Sequence, residues 1–199
     1  DMPTVVALAR EHNLMVIEDA AQALGVTWNG QHAGTFGDVA TFSFFADKTI
    51  ACGEGGFIIT NDETIARELV FLRNQGRINR GTFVHPEVGY NFRITDIHAA
   101  MGNVQIDKID WIIGRKLEIY QTYQRHLGDH PRFNFFGPLS GSSFVPFRVC
   151  LVDKLAHAEE VMDKLKENGV EPRTFFYPMH RQPCFSQIVK NAEYSRGDF

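Results

Sequence analysis

The chain has 199 residues, 44% of them hydrophobic and 22% charged, with a formal net charge of −4. That composition belongs to a folded globular protein with enough core for one or two domains. Mild acidity without a basic cluster argues against nucleic acid or an anionic membrane surface as the main partner, and no apolar run approaches the roughly 20 residues of a membrane span. Cys52, Cys150 and Cys184 are odd in number, with no CxxC or zinc spacing, and read as reduced thiols of a cytoplasmic protein. The chain enters a helix almost directly after Asp1-Met2-Pro3 and stops at Gly197-Asp198-Phe199 without a closing element. It reads as a piece of a longer polypeptide.

In chain order, Thr4 to His12 is expected to be a short helix, with Thr4 as cap and Val5, Leu8 and Ala9 on one face. Leu14-Met-Val-Ile17 is wholly apolar, the pattern of a parallel strand buried on both faces. It delivers Glu18-Asp19-Ala-Ala-Gln22 at its carboxyl end, where open α/β sheets place their ligands. Asn29-Gly30 marks a tight turn inside the loop or hairpin from Gly25 to Gly37. Asp38 to Ser43 and Gly56 to Thr60 read as the next strands. Thr60-Asn-Asp-Glu63 reads as a capping box for a helix with Ile65, Leu69 and Leu72 inward, stopped at Gln75-Gly76.

Arg77 to Gly89 is polar and aperiodic, a loop long enough to be functional. Thr95 then caps a helix with Ile97, Ala100, Met101 and Val104 on one face, and Trp111 to Leu127 forms a second helix suited to connect domains. Beyond about Pro131, Phe133 to Phe136, Phe144 to Val152 and Val170 to Tyr177 look like strands, with an amphipathic helix from Leu155 to Asn168. Strands alternating with helices give an α/β layered fold. The division expected is residues 1–110 in a large domain, 111–130 as a connecting helix and 131–199 in a smaller α+β domain.

The chemistry concentrates in Thr41-Phe-Ser-Phe-Phe-Ala-Asp-Lys48, followed by the turn Gly53-Glu-Gly-Gly56. A lysine just beyond an apolar strand loses part of its solvation, which disfavours the ammonium and frees the amine as a nucleophile. Glycines beside it let backbone pass close to a bulky ligand. A carboxylate (Asp19), a hydroxyl (Ser43) and a lysine (Lys48) at strand ends are the groups a pyridoxal 5'-phosphate (PLP) enzyme needs. The bland alternatives are a helix cap for Asp19 and a solvent-exposed strand end for Lys48.

Taken together, Glu18-Asp-Ala-Ala-Gln-Ala23, Gly37-Asp38, Phe42-Ser-Phe44, Asp47-Lys48, Gly53-Glu-Gly-Gly56, Thr60-Asn-Asp62 and Gly89-Tyr-Asn-Phe-Arg93 resemble, in order, the sugar-nucleotide aminotransferases of the DegT/DnrJ/EryC1/StrS family. The resemblance implies a PLP-dependent transferase of fold type I, with a three-layer α/β/α large domain, that aminates a nucleotide-linked keto-sugar, with glutamate as amino donor. Phe-Phe-Ala-Asp-Lys48 and Tyr177-Pro-Met-His180 are most similar to members acting on a GDP-linked 4-keto-6-deoxy sugar. It further implies that Lys48 bonds to the cofactor's aldehyde and shuttles protons, that Asp19 pairs with the pyridine nitrogen, and that Gln22 lies near the 3′-oxygen. Ser43 binds the phosphate, and Asn91 reaches the phosphate of a neighbouring subunit in a homodimer. Arg93 and His180 are the candidates for contacting the sugar nucleotide. Their bland readings are a surface ion pair and a satisfied loop histidine. The family's dehydratase branch has His in place of the lysine, so Lys48 favours transamination. In the family a stretch ahead of Asp1 carries a helix N-terminus that grips the phosphate. The competing reading of another class is a non-catalytic regulatory or sensor relative, against which the intact Asp19, Gln22, Ser43 and Lys48 stand.

Overall fold

The structure is a computed structural model that describes residues 1–79 and 81–185. It divides into two compact units, Asp1–Leu151 and the chain from Val152 onward. Residues 131–151 thus fall in the first unit. That unit contains α1 (Met2–Glu11), β1 (Ile17–Asp19), β2 (Thr27–Trp28), β3 (Gln31–His32), β4 (Val39–Ser43), β5 (Gly56–Ile59), α2 (Glu63–Arg73), α3 (Asp96–Ile106), α4 (Ile109–Leu127) and β6 (Phe133–Phe135). The strand β7 (Leu151–Asp153) crosses the division, and the second unit carries α5 (Ala158–Glu167) and two 3₁₀ turns, Met179–Arg181 and Pro183–Phe185.

A three-stranded sheet of order β1-β4-β5 organises the first unit, with β1 parallel and β5 antiparallel to β4. Register pairs Glu18 with Ala40 and Asp19 with Thr41; on the other side Phe42 pairs with Phe57 and Ser43 with Gly56. Strand alternation therefore sorts the residues by face. One face carries Glu18, Ala40, Phe42, Phe57 and Ile59 and packs on Ala20, Ala23 and Leu24, with the Phe42 and Phe57 rings stacked at 4.5 Å. The opposite face carries Asp19, Thr41, Ser43 and Ile58.

The buried face explains Glu18. Its carboxylate, only 7% exposed, accepts from the backbone N–H of Gly34 (2.7 Å), Phe36 (2.7 Å) and Gly37 (2.6 Å) and so fixes the approach to β4. Gly34 has φ 89°, and a Cβ there would meet the Phe42 ring at 2.6 Å. Removing an acceptor strands each buried donor at roughly 1–3 kcal/mol. Glu18→Ala is therefore expected to destabilise the protein by about 3 kcal/mol or more, read as a fall in the urea midpoint. Glu18→Gln, which keeps one acceptor oxygen, should lose less.

Turn chemistry follows the sequence closely. Asn29 (φ 48°) and Gly30 (φ 84°) close the β2–β3 hairpin as a two-residue loop with both φ positive. Gln75 (φ 68°) and Gly76 (φ 63°) end α2, and Thr95 Oγ1 accepts from His98 N–H to cap α3.

Several expectations need correction. Asp1, not Thr4, caps α1, accepting from Thr4 N–H at 3.1 Å, and Pro3 lies in the first turn, where its missing donor costs nothing. Asp62, not Thr60, caps α2, accepting from Thr64 and Ile65 N–H; Thr60 Oγ1 instead donates to Asp38 O at 2.7 Å. The strand expected at Leu14–Ile17 forms at Ile17–Asp19, and Leu14, Met15 and Ile17 are each about two-thirds exposed (64%, 64% and 69%). The α3 face of Ile97, Met101 and Val104 is likewise exposed. Of Phe144–Val152 only Leu151 and Val152 are strand, within β7: Pro146 is buried and has no N–H for a ladder. Val170–Tyr177 forms no strand; Pro172 interrupts it, and Phe175 and Phe176 stay exposed.

Candidate active site

Because β1 and β4 are parallel, their carboxyl ends lie side by side, and the exposed face there holds Asp19 and Ser43. Asp19 ends β1, with Oδ1 accepting from Ala21 N–H at 3.1 Å. It is an exposed carboxylate that caps a turn rather than a helix, since Ala23 N–H closes onto Ala20 O. Gln22 is exposed within that turn. Ser43 ends β4, two residues from the partner of Asp19 on the same face, and its Oγ accepts from Phe45 N–H at 3.2 Å. The hydroxyl keeps its own proton to donate.

Lys48 follows on a segment anchored at both ends. Its N–H donates to Phe45 O (2.9 Å), Cys52 N–H donates to Phe44 O (2.9 Å), and Phe45 bridges Gly53. Ile50 and Cys52 are the largest fully buried side chains, and burial of an Ile alone contributes about 1.5–3 kcal/mol. The lysine side chain is only 15% exposed. Its Nζ lies 3.7 Å from Asp47 Oδ1 and 4.7 Å from the centre of the Phe147 ring. Arg148 completes the group, donating to Asp47 Oδ2 at 3.0 Å and lying 4.6 Å from the same ring. The sequence reading passed over Phe147 and Arg148, which follow Lys48 by about a hundred residues and leave no local signal; Asp47 was visible only as its neighbour.

Asn91 and Arg93 form a separate cluster. Residues 90–92 attach to the end of α2 through Tyr90 N–H to Leu72 O, Gln75 N–H to Tyr90 O and Phe92 N–H to Arg73 O. Arg93 then donates to Asn91 Oδ1 (2.8 Å) and Asn74 Oδ1 (3.0 Å). Asn91 also lines an open cavity of about 450 Å³ with Gln75, His85, Glu87 and Gly89. Arg93 is thus no lone surface ion pair; it orients the Asn91 amide. His180 belongs to the second unit, in the Met179–Arg181 turn behind Pro178.

The sequence matches the DegT/DnrJ/EryC1/StrS aminotransferase family over residues 1–196. The chain belongs to that family. Among its relatives, GDP-perosamine synthase of Escherichia coli O157:H7 is 38% identical over 94% of this chain and 51% of its own length. EpsN of Bacillus subtilis (strain 168), inferred to be a pyridoxal phosphate-dependent aminotransferase, is 31% identical over 94% of this chain and 50% of its own. The solved structure of Helicobacter pylori PseC, an aminotransferase of pseudoaminic acid biosynthesis, superposes with a TM-score of 0.92 at 24% identity, over 99% of this chain and 54% of that one. The DegT/DnrJ/EryC1/StrS chain therefore has the PLP-dependent transferase fold of type I over the part it spans. It spans about half the length of the curated relatives it matches. Among the described residues no helix is long and apolar enough to cross a membrane.

Proposed function

We propose that this chain is part of a PLP-dependent aminotransferase that moves an amino group from glutamate to a nucleotide-linked 4-keto-6-deoxy sugar, with GDP-4-keto-6-deoxymannose as substrate and GDP-perosamine as product. The supporting observation is the family match, joined to a lysine on the segment that follows β4 and to a sheet face that bears a carboxylate and a hydroxyl. These residues fit the cofactor: Asp19 and Ser43 each keep acceptor or donor capacity beyond their single turn hydrogen bonds, and Lys48 Nζ is charge-paired without being tied by a short hydrogen bond. When bound, PLP supplies an electron sink for the carbanion left by loss of a proton.

In this reading Lys48 supplies the amine that bonds to the cofactor's aldehyde and later carries the proton between carbon centres. Asp19 holds the pyridine nitrogen in its charged form, and Gln22 contacts the ring's 3′-oxygen. Ser43 donates to the phosphate. Asn91, oriented by Arg93, donates to the phosphate of a second copy in a homodimer, and Arg93 and His180 meet the sugar nucleotide. The enzyme works in the cytoplasm, in keeping with three free cysteines. Of the DegT/DnrJ/EryC1/StrS relatives, the 38% identity to a GDP-perosamine synthase favours this sugar over others.

The test is to incubate the full-length protein with PLP, glutamate and a panel of GDP-, dTDP- and UDP-linked keto-sugars, following amino-sugar formation by mass spectrometry. Amination of the GDP-linked substrate is expected to be fastest. Failure with every sugar in the presence of bound PLP would remove the proposed activity.

A further inference from the structure

Resting on the reading of Lys48 as the cofactor lysine, we propose that Asp47 and Phe147 are positioning residues that hold the Lys48 amine between a carboxylate and an aromatic face. Asp47 Oδ1 is buried and accepts no hydrogen bond, although Lys48 Nζ stands 3.7 Å away. A buried carboxylate oxygen without a hydrogen bond costs free energy unless a charge compensates it, and the lysine ammonium is the charge provided. The other oxygen, Oδ2, is engaged by Arg148 at 3.0 Å, so the carboxylate cannot rotate freely away. Phe147 presents its ring to both cations, at 4.7 Å from Lys48 Nζ and 4.6 Å from the Arg148 guanidinium. An aromatic face attracts a cation without a directional bond.

The consequence is a loose hold. Lys48 is oriented by charge and by the ring, not fixed by a short hydrogen bond, so its amine can leave for an electrophile without breaking one. Lys116, from α4, faces the same group: burial keeps its ammonium below the usual lysine range, Arg148 adds to that effect and Asp47 opposes it. Burial pushes the Cys150 thiol up, with Arg148 opposing. Asp47 thus interacts with all three of the cations Lys48, Lys116 and Arg148.

The experiment is reductive methylation of the full-length protein, free of PLP, at fixed near-neutral pH, with the Lys48 rate read by peptide mass spectrometry against Lys108 and Lys166. Asp47→Asn is expected to label Lys48 about three- to tenfold faster than wild type, and Asp47→Glu to restore the slow rate. Phe147→Leu, which keeps bulk but no ring, is expected to speed labelling about twofold or more, and decides the matter if Asp47→Asn does not fold. Unchanged Lys48 rates in the folded variants would overturn the proposal. Attachment of PLP to Lys48 is measured separately in wild type: its failure would sink the cofactor reading, while the labelling rates still decide whether Asp47 and Phe147 hold the amine.

Discussion

Lys48→Ala is expected to lower kcat for transamination by on the order of 10⁴ or more while leaving a folded protein, because in the proposed reaction its amine is the bonding group. The other cations that interact with Asp47 are Arg148, whose guanidinium does not form such a bond at neutral pH, and Lys116 on α4. The fold should survive because the segment is also anchored by the fully buried Ile50 and Cys52 and by the Cys52 N–H to Phe44 O hydrogen bond. Circular dichroism and the thermal midpoint check the second half of the expectation, and glutamate-dependent turnover the first. A variant that transaminated at near wild-type rate would show that another group carries the reaction.

Asp19→Asn is the second large effect. The amide keeps the size of the side chain and can still accept from Ala21 N–H, so the turn after β1 is preserved. What is lost is the negative charge at the end of a strand, the feature that would keep a pyridine nitrogen protonated. A loss on the order of 10²–10³ in the rate of the glutamate half-reaction is expected, with PLP still bound. Stopped-flow absorbance separates binding from this step. An unimpaired half-reaction would reduce Asp19 to a turn cap.

Local chemistry was legible in the sequence wherever a single residue decides a backbone angle or a cap. Asn29-Gly30, Gln75-Gly76 and Thr95 behave as read, because positive φ and N-cap hydrogen bonds are decided within a few residues. The same locality misled at α2, where Thr60 and Asp62 both offer an oxygen at a plausible position and only the closer one caps. Apolar runs told less. Leu14, Met15 and Ile17 are as hydrophobic as a buried strand, but periodicity reports what a segment would bury and not what lies over it. Val170–Tyr177 has strand-forming residues, but Pro172 within it lacks a ladder donor and the segment forms no strand.

The site divides in the same way. Asp19 and Ser43 end neighbouring strands and Lys48 follows on the segment after β4, an order that a linear reading can follow. Glu18 was passed over although strand alternation turns it inward, where its three backbone hydrogen bonds set the loop before β4. Phe147 and Arg148 reach Asp47 and Lys48 across about a hundred residues, and nothing in the local pattern of either segment announces that contact.

The proposed role of Lys48 is to hold PLP. Its most direct test is the visible absorption spectrum of the full-length protein with PLP, before and after glutamate, with Lys48→Ala alongside. A band of protein-bound cofactor that glutamate bleaches, and that the variant does not form, is the predicted result. A protein that takes up no PLP, or a variant that forms the same band, would contradict it.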